Sequence, residues 1–456
     1  MRKTTFASLT SFVSEILPQN LQPSERSEAL VRLTILTQFF PPDYAPTGQL
    51  IDELSRNLQP EGLGVQVFTG QPGYAFTKTT APLIERFQNI VIRRSRTAQL
   101  FPNRIRGKAL NGLMFVLRSA LYLLRSKNRG DILMLTTAPP FLPILGFLAN
   151  ILFDTPYICL LYDLYPDVAV ELNVKPADHW IVRAWDSINR AVWKKATRII
   201  VLSSSMKQRI VAKCPEVADK IAIIHSWSDP DRIVPIQKRD NWFAEQYGLT
   251  DKFTVLYSGN MGRCHDMETI LSAAQALRDE AIEFVFIGDG ARRREFIEKA
   301  DRLGLRNFQF LPYQSKADLP YSLTACDLSL VSVKQGMEGI VAPSKLYSAL
   351  ASGRPIAAIC EPHSYLRELL NQAECGACFG NGDGEELATF IRELASDSEM
   401  TERMGLSGRR YMISNFTPQI IAGQYARVIY QAILIHENLK FPIPSMTSTR
   451  AEDVLI

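Results

Sequence analysis

Residues 253–277 read FTVLYSGNMGRCHDMETILSAAQAL. A short apolar, β-prone run ends in Ser-Gly-Asn, and apolar residues at helical spacing follow. A strand ending in a glycine turn that opens a helix is the repeating unit of a parallel α/β sheet. The unit recurs downstream as a strand at 283–287, the turn Gly288-Asp289-Gly290 and a helix at 292–303. Apolar runs at 308–311, 328–333 and 355–359 continue it, and a helical pattern at 420–436 closes the series. Upstream, strands are expected at 33–39, 65–69, 131–135, 157–161 and 198–202, with a helix at 49–58. Residues 228–250 (SDPDRIVPIQKRDNWFAEQYGLT), rich in charge and proline, interrupt the alternation and read as a linker. The expected fold is α/β, with two doubly wound domains facing a central cleft that holds the ligand.

The 456 residues suit two domains, and 46% hydrophobic with 21% charged residues excludes a disordered or collagen-like chain. Seven cysteines form no disulfide framework. Net charge divides unevenly: residues 1–240 hold 30 Lys+Arg against 20 Asp+Glu, and the remainder 21 against 27. From Arg86 to Arg129 there are 11 basic residues and no acid. Leu113, Val116, Leu117, Ala120, Leu121 and Leu124 form an apolar helix face there, flanked by Arg118, Arg125 and Lys127. Such a helix suits an anionic membrane interface. Aromatics are not interleaved, so nucleic acid is not an expected partner. Residues 136–153 (TTAPPFLPILGFLANILF) lack charge, but three prolines leave too short a run to span a bilayer. That run is expected to be a buried crossover helix. Residues 1–30 read as an extension and not a signal, and 437–456 as a tail.

Three loops carry chemistry. Residues 332–355, SVKQGMEGIVAPSKLYSALASGRP, join a buried strand to a helix expected to start at Ser344, its natural N-cap. The free amides of that helix start, with Lys345, suit an anion such as a diphosphate. Ser258-Gly259-Asn260-Met261-Gly262-Arg263 offers a second anion-suited turn with a guanidinium. Gly288-Asp289-Gly290 lies at the same strand edge. In the first half, Tyr162-Asp163-Leu164-Tyr165-Pro166-Asp167 brings carboxylates and phenols suited to sugar hydroxyls or proton transfer. Asp229-Pro230-Asp231 has metal-binding spacing but reads as a turn. Cys375 and Cys378 form a lone pair at CxxC spacing, and the five histidines show no ligand spacing. No metal or cofactor is expected.

Together these segments resemble the retaining glycosyltransferases of the GT-B fold, family 4, near the bacterial surface-polysaccharide members. The markers are FFPPDYAPTGQL at 39–50, YDLYPD at 162–167, WSDPDRIVP at 227–235 and VLYSGNMGR at 255–263. FIGDG at 286–290, FLPYQSKADLP at 310–320 and EGIVAPSKLYSALASGRP at 338–355 complete them. The resemblance implies two Rossmann-like domains: an acceptor domain at 31–227, completed by a returning helix at 411–436, and a donor domain at 251–410. It implies a UDP- or GDP-sugar donor and a lipid-linked or oligosaccharide acceptor at the inner membrane face. It gives catalytic roles to Glu338, Asp163, Arg263 and Lys345. Contacts to the donor are implied for Gly48, Gly259, Asn260, Gly262, Gly288, Asp289, Tyr313, Gly339, Ile340, Val341, Ser344 and Ser348. Leu346 stands where the family often has a ribose-binding glutamate, His265 where a lysine is frequent, and Tyr162 where a histidine is. A sugar-nucleotide epimerase and a non-catalytic sugar-nucleotide scaffold are the competing readings.

Overall fold

The computed structural model describes residues 31–43, 45–72, 81–95 and 105–440. The expected extension at 1–30 and the tail beyond 440 lie outside them. The first sheet has eight strands in the order β3-β4-β2-β1-β5-β6-β7-β8. These are β1 Val31–Leu36, β2 Leu63–Thr69, β3 Ile84–Phe87, β4 Ile90–Arg94, β5 Ile132–Thr136, β6 Tyr157–Leu161, β7 Arg198–Val201 and β8 Ile221–Ile223. All neighbours pair in parallel except β3, which closes a hairpin on β4. The second sheet is wholly parallel, in the order β11-β10-β9-β12-β13-β14. Its strands are β9 Phe253–Ser258, β10 Ile282–Ile287, β11 Phe308–Leu311, β12 Leu328–Ser332, β13 Ile356–Ile359 and β14 Gly376–Phe379.

β5, β6 and β12 are buried along their whole length, as unbroken apolar runs require when helices cover both faces. In each sheet the chain reverses winding direction beside the first-entered strand, between β1 and β5 and between β9 and β12. The loops leaving such paired strands diverge and open a crevice at their carboxyl ends.

Trp227, Phe243, Ile233 and Tyr425 join residues of both sheets in one buried cluster. The helix Pro418–Lys440 buries Ile421, Ala422, Tyr425, Ala426 and Ile429 on one face. It packs on the helix Pro46–Asn57 and on β6, so the chain returns to the first domain. The return begins at Pro418, because residues 411–415 still belong to the helix Ser398–Asn415, which packs on second-domain helices. Arg409 on that helix donates to the carbonyls of Ile233 (2.6 Å), Pro230 (2.9 Å) and Ala351, tying the connecting segment to the second domain. Within that segment Asp229 accepts from the amide of Asp231 at 2.9 Å, so its carboxylate closes its own turn. Residues 241–250 are not linker: Phe243 and Ala244 are buried, and Asn241 donates to the Tyr321 carbonyl at 2.9 Å.

The helix Ile144–Phe153 differs from its expected burial. Leu145, Gly146 and Ala149 face inward, but Leu148, Ile151 and Leu152 are exposed, Leu152 by 65%. The helix Ile105–Leu123 packs against it, burying Phe115 and Leu123 and exposing Leu113, Leu117 and Leu121. A third neighbour, Trp180–Lys195, exposes Trp180 and Ile181. Among the described residues no helix is long and apolar enough to cross a membrane.

Candidate functional site

The loops leaving β9, β10 and β11 are woven together at one edge. The Gly259 amide donates to the Ile287 carbonyl (2.8 Å), Gly288 to Leu311 (3.0 Å) and Met261 to Asp289 (2.8 Å). Gly288 has φ +133°, and a Cβ there would lie 2.2 Å from the Gly259 carbonyl oxygen, so only glycine permits this crossing. The Tyr257 hydroxyl donates to the Asn260 carbonyl at 2.9 Å, and the Tyr313 hydroxyl to that of Asp289 at 3.4 Å. The edge thus gathers Gly259, Asn260, Gly262, Gly288, Asp289 and Tyr313. Arg263, on the loop after β9, is exposed.

The loop after β12 faces this edge across the winding reversal. Glu338 is 1% exposed, and neither carboxylate oxygen has a hydrogen-bond partner. Gly339, Ile340 and Val341 follow, then Ser344 and Lys345. The Lys345 residue is only half-buried, but its Nζ is shut off from water and unpartnered. It sits 3.6 Å above the centroid of the Tyr257 ring, a cation–π contact, beside Gly259. Burial holds the ammonium well below the usual lysine range. A buried carboxylate and a buried ammonium that do not pair with each other are each costly. A bound diphosphate and polyhydroxylated sugar would partner both.

His265 contributes no such charge. Its Nδ1 lies 2.7 Å from the Ser332 carbonyl oxygen, which only accepts, so Nδ1 carries the proton. Burial and the Lys345 charge push the imidazole down to about 3, so the ring is neutral. Leu346 is fully buried in the core and presents nothing to a ribose. The Ser348 hydroxyl donates to the Lys345 carbonyl at 3.0 Å. Ser344 makes no side-chain cap: its dihedrals are already helical, and the helix proper is Lys345–Ala351.

From the first domain, Asp163 pairs with Val341 as an isolated β-bridge, and the Leu164 amide donates to the Ile340 carbonyl at 2.9 Å. Burial pushes the Asp163 carboxyl up to about 6. Its charge also reaches Cys264, whose thiol is raised to about 11, chiefly by burial. Asp163 therefore sits between the loops after β9 and β12. The rest of its motif turns elsewhere. Asp167 is ion-paired to Lys213 at 2.6 Å, Tyr165 stacks on Trp185, and Tyr162 lies in the core. Gly48 is not in a loop: it lies in the helix Pro46–Asn57 and packs on the Phe39–Phe40 backbone. Tyr257, which lies inside the 255–263 marker with no role assigned to it there, and Arg209, which carries no local motif, also touch this site. Among the described residues no group of three His, Cys, Asp or Glu is placed to hold a metal ion.

Two facing Rossmann-like domains with this charged edge between them define the GT-B architecture of sugar-transferring enzymes. Residues 47–227 match the glycosyl transferase 4-like domain, and residues 238–411 match the glycosyl transferases group 1. The chain belongs to this glycosyltransferase family. It is 26% identical over 297 residues to a probable glycosyltransferase, WbjE, of Pseudomonas aeruginosa, covering 64% of this chain and 73% of that one. It is 34% identical over 173 residues to WcaI of Escherichia coli K12, a putative colanic acid biosynthesis glycosyl transferase, covering 38% and 42%. The fold is similar to that of HepE of Anabaena, solved in complex with UDP and glucose. There the TM-score is 0.65 at 15% identity, over 88% of this chain and 99% of that one.

Proposed function

We propose that the protein transfers a hexose, with retention, from a nucleoside-diphosphate sugar to a lipid-linked or oligosaccharide acceptor in cell-surface polysaccharide synthesis. One observation carries the reading: both carboxylate oxygens of Glu338 and the Nζ of Lys345 are shut off from water and unpartnered on one loop at the carboxyl edge of the donor sheet. Lys345 and Arg263 would neutralise the departing diphosphate. Glu338 would accept from sugar hydroxyls and hold the ring. These residues give the departing charge fixed partners without a divalent ion. The C1–O bond to the phosphate breaks as the C1–O bond to the acceptor forms on the same face. The acceptor proton passes to the departing phosphate oxygen, so no strong protein base is needed. Asp163, from the opposite domain, would orient the acceptor hydroxyl. WcaI's naming for colanic acid and the UDP and glucose held by HepE agree with this assignment.

The membrane face of the proposal rests on three adjacent helices. Leu113, Leu117, Leu121, Leu148, Ile151, Leu152 and Trp180 are exposed there, with Arg118, Arg125 and Lys127 beside them. An apolar surface rimmed by cations suits an anionic leaflet. This surface would bring the protein to the inner face of the cell membrane, where a lipid-linked acceptor lies. The test is transfer from a panel of UDP- and GDP-sugars to a bacterial lipid extract, with and without EDTA. Glu338→Ala and Lys345→Ala should each abolish transfer. Undiminished transfer in both variants would overturn the site, and binding without transfer would favour the scaffold.

A further inference from the structure

We infer that Arg209 of the first domain is a positioning residue that makes presentation of Glu338 depend on closure of the two domains. The inference rests on the donor-site reading above and assigns a control to it. Arg209 lies on the helix Ser204–Lys213, which starts just after β7 with the Ser203 hydroxyl capping the Met206 amide at 3.1 Å. Its Nε donates to the Glu338 carbonyl at 2.6 Å, and its terminal nitrogen to the Gly336 carbonyl at 2.9 Å. The next alternate carbonyl, Ile340, accepts from the Leu164 amide at 2.9 Å. Three alternate carbonyls of the acid loop, 336, 338 and 340, are therefore held by donors of the opposite domain. The second domain holds the loop by its other groups: the Gly336 amide donates to Glu361 at 3.0 Å.

The contact is close as well as polar. Gly339 has φ +73°, and a Cβ there would lie 2.6 Å from the Ser205 carbonyl oxygen and 3.1 Å from Cγ of Arg209. The Ser205 hydroxyl also accepts from the Tyr365 amide, on the helix after β13, at 3.2 Å. Among the described residues Arg209 enters no ion pair, so its planar fork serves these two carbonyls. Lysine, a single compact donor group, would reach one of them well and not both. When the domains part, the acid loop loses all three of these cross-domain hydrogen bonds while the donor edge at 259–290, wholly within the second domain, stays intact. Nucleotide binding and catalytic geometry thereby separate: the open form holds a nucleotide, and only the closed form aims the acid.

The test uses the full chain, with Arg209→Met, Arg209→Lys and Glu338→Gln. The nucleotide probe is UDP or GDP, whichever stabilises the wild type, and the donor is the corresponding sugar. We expect Arg209→Met to lower kcat by about 10²-fold, the scale of a roughly 1 Å misplacement. Its affinity for the bare nucleotide should change less than about threefold, within the spread of additive effects. Arg209→Lys should recover part of kcat. Amide exchange of residues 334–343 should slow when wild type binds donor and should fail to slow in Arg209→Met. Unchanged kcat, or unchanged donor-induced protection, would overturn the inference. So would a parallel loss of nucleotide affinity and kcat, which marks a binding or folding residue. Full activity in Glu338→Gln would instead sink the donor-site reading, and the exchange result would still judge the clamp. If Arg209→Met does not fold, Arg209→Lys carries the same comparison.

Discussion

Replacing Lys345 by methionine should make the empty protein more stable and unable to hold a diphosphate. The ammonium is shut off from water and has no hydrogen-bond acceptor. Its penalty is bounded, because at pH 7 the group can shed its proton, which costs about 4.6 kcal/mol from an ordinary pKa near 10.4. Against this stands the contact with the Tyr257 ring at 3.6 Å, worth roughly 0.5–2 kcal/mol. Methionine keeps most of the stem's burial, so a net gain of about 1–3 kcal/mol is expected. For a domain of this size that raises Tm by roughly 3–9 °C. Burial depresses the folded pKa, so the unfolded chain holds the proton to higher pH than the folded one. The wild-type penalty is therefore complete below the depressed value and fades as pH rises towards about 10.4. The Tm gap between variant and wild type should close over that window. Differential scanning calorimetry at several pH values, with and without UDP and GDP, reads all of this. A variant less stable than wild type at pH 7, or one still stabilised by the wild type's nucleotide, would refute the reasoning.

Three further outcomes follow from other residues. The Asp163 carboxyl, raised to about 6 by burial, should give the rate of transfer an acidic limb near pH 6 that Asp163→Asn abolishes. The same change should leave Tm unaltered below about pH 4 and raise it progressively between about pH 4 and about pH 6, because the unfolded carboxyl ionises over that range before the folded one does; above about pH 6 the gain is constant. Ile151→Asp with Leu152→Asp, or charge reversal of Arg118, Arg125 and Lys127, should release the protein from anionic phosphatidylglycerol vesicles in a flotation assay; unchanged flotation would refute the membrane face. Arg409→Ala leaves the Pro230 and Ile233 carbonyls of the interdomain connection, and that of Ala351, without their donor, and thermal unfolding should show a loss of about 2–4 kcal/mol with nucleotide affinity retained.

Ten of the strands were legible because each is a short apolar run, and parallel sheets bury both faces of such runs. β3, β4, β8 and β14 were not: Glu85 and Arg86 interrupt β3, Arg93 and Arg94 end β4, and β8 and β14 are short edge strands whose neighbours decide their pairing. The helix Ile144–Phe153 shows where periodicity fails. With Asn150 as its one polar residue, the sequence marks no continuous outer face, and the neighbouring helices decide it. Residues 241–250 looked like linker because charge surrounds Phe243 and Ala244, whose burial depends on the distant residues 319–324. At the site, Lys345 and the glycine turns were readable from local chemistry, and Glu338 from the family resemblance. Tyr257 and Arg209 were not, since one lies beneath a lysine 88 residues away and the other acts across the cleft. His265 could be named but not its state, which depends on Ser332 and Lys345.

The most direct test of the donor site is calorimetric titration, in EDTA, of wild type and Glu338→Gln with a nucleoside diphosphate and with its sugar-linked form. The account predicts tight binding of both by the wild type. It predicts that Glu338→Gln binds the bare nucleotide normally and loses affinity, by about tenfold or more, for the sugar-linked form alone. Equal affinities of the two proteins for both ligands, or binding that EDTA abolishes, would contradict it.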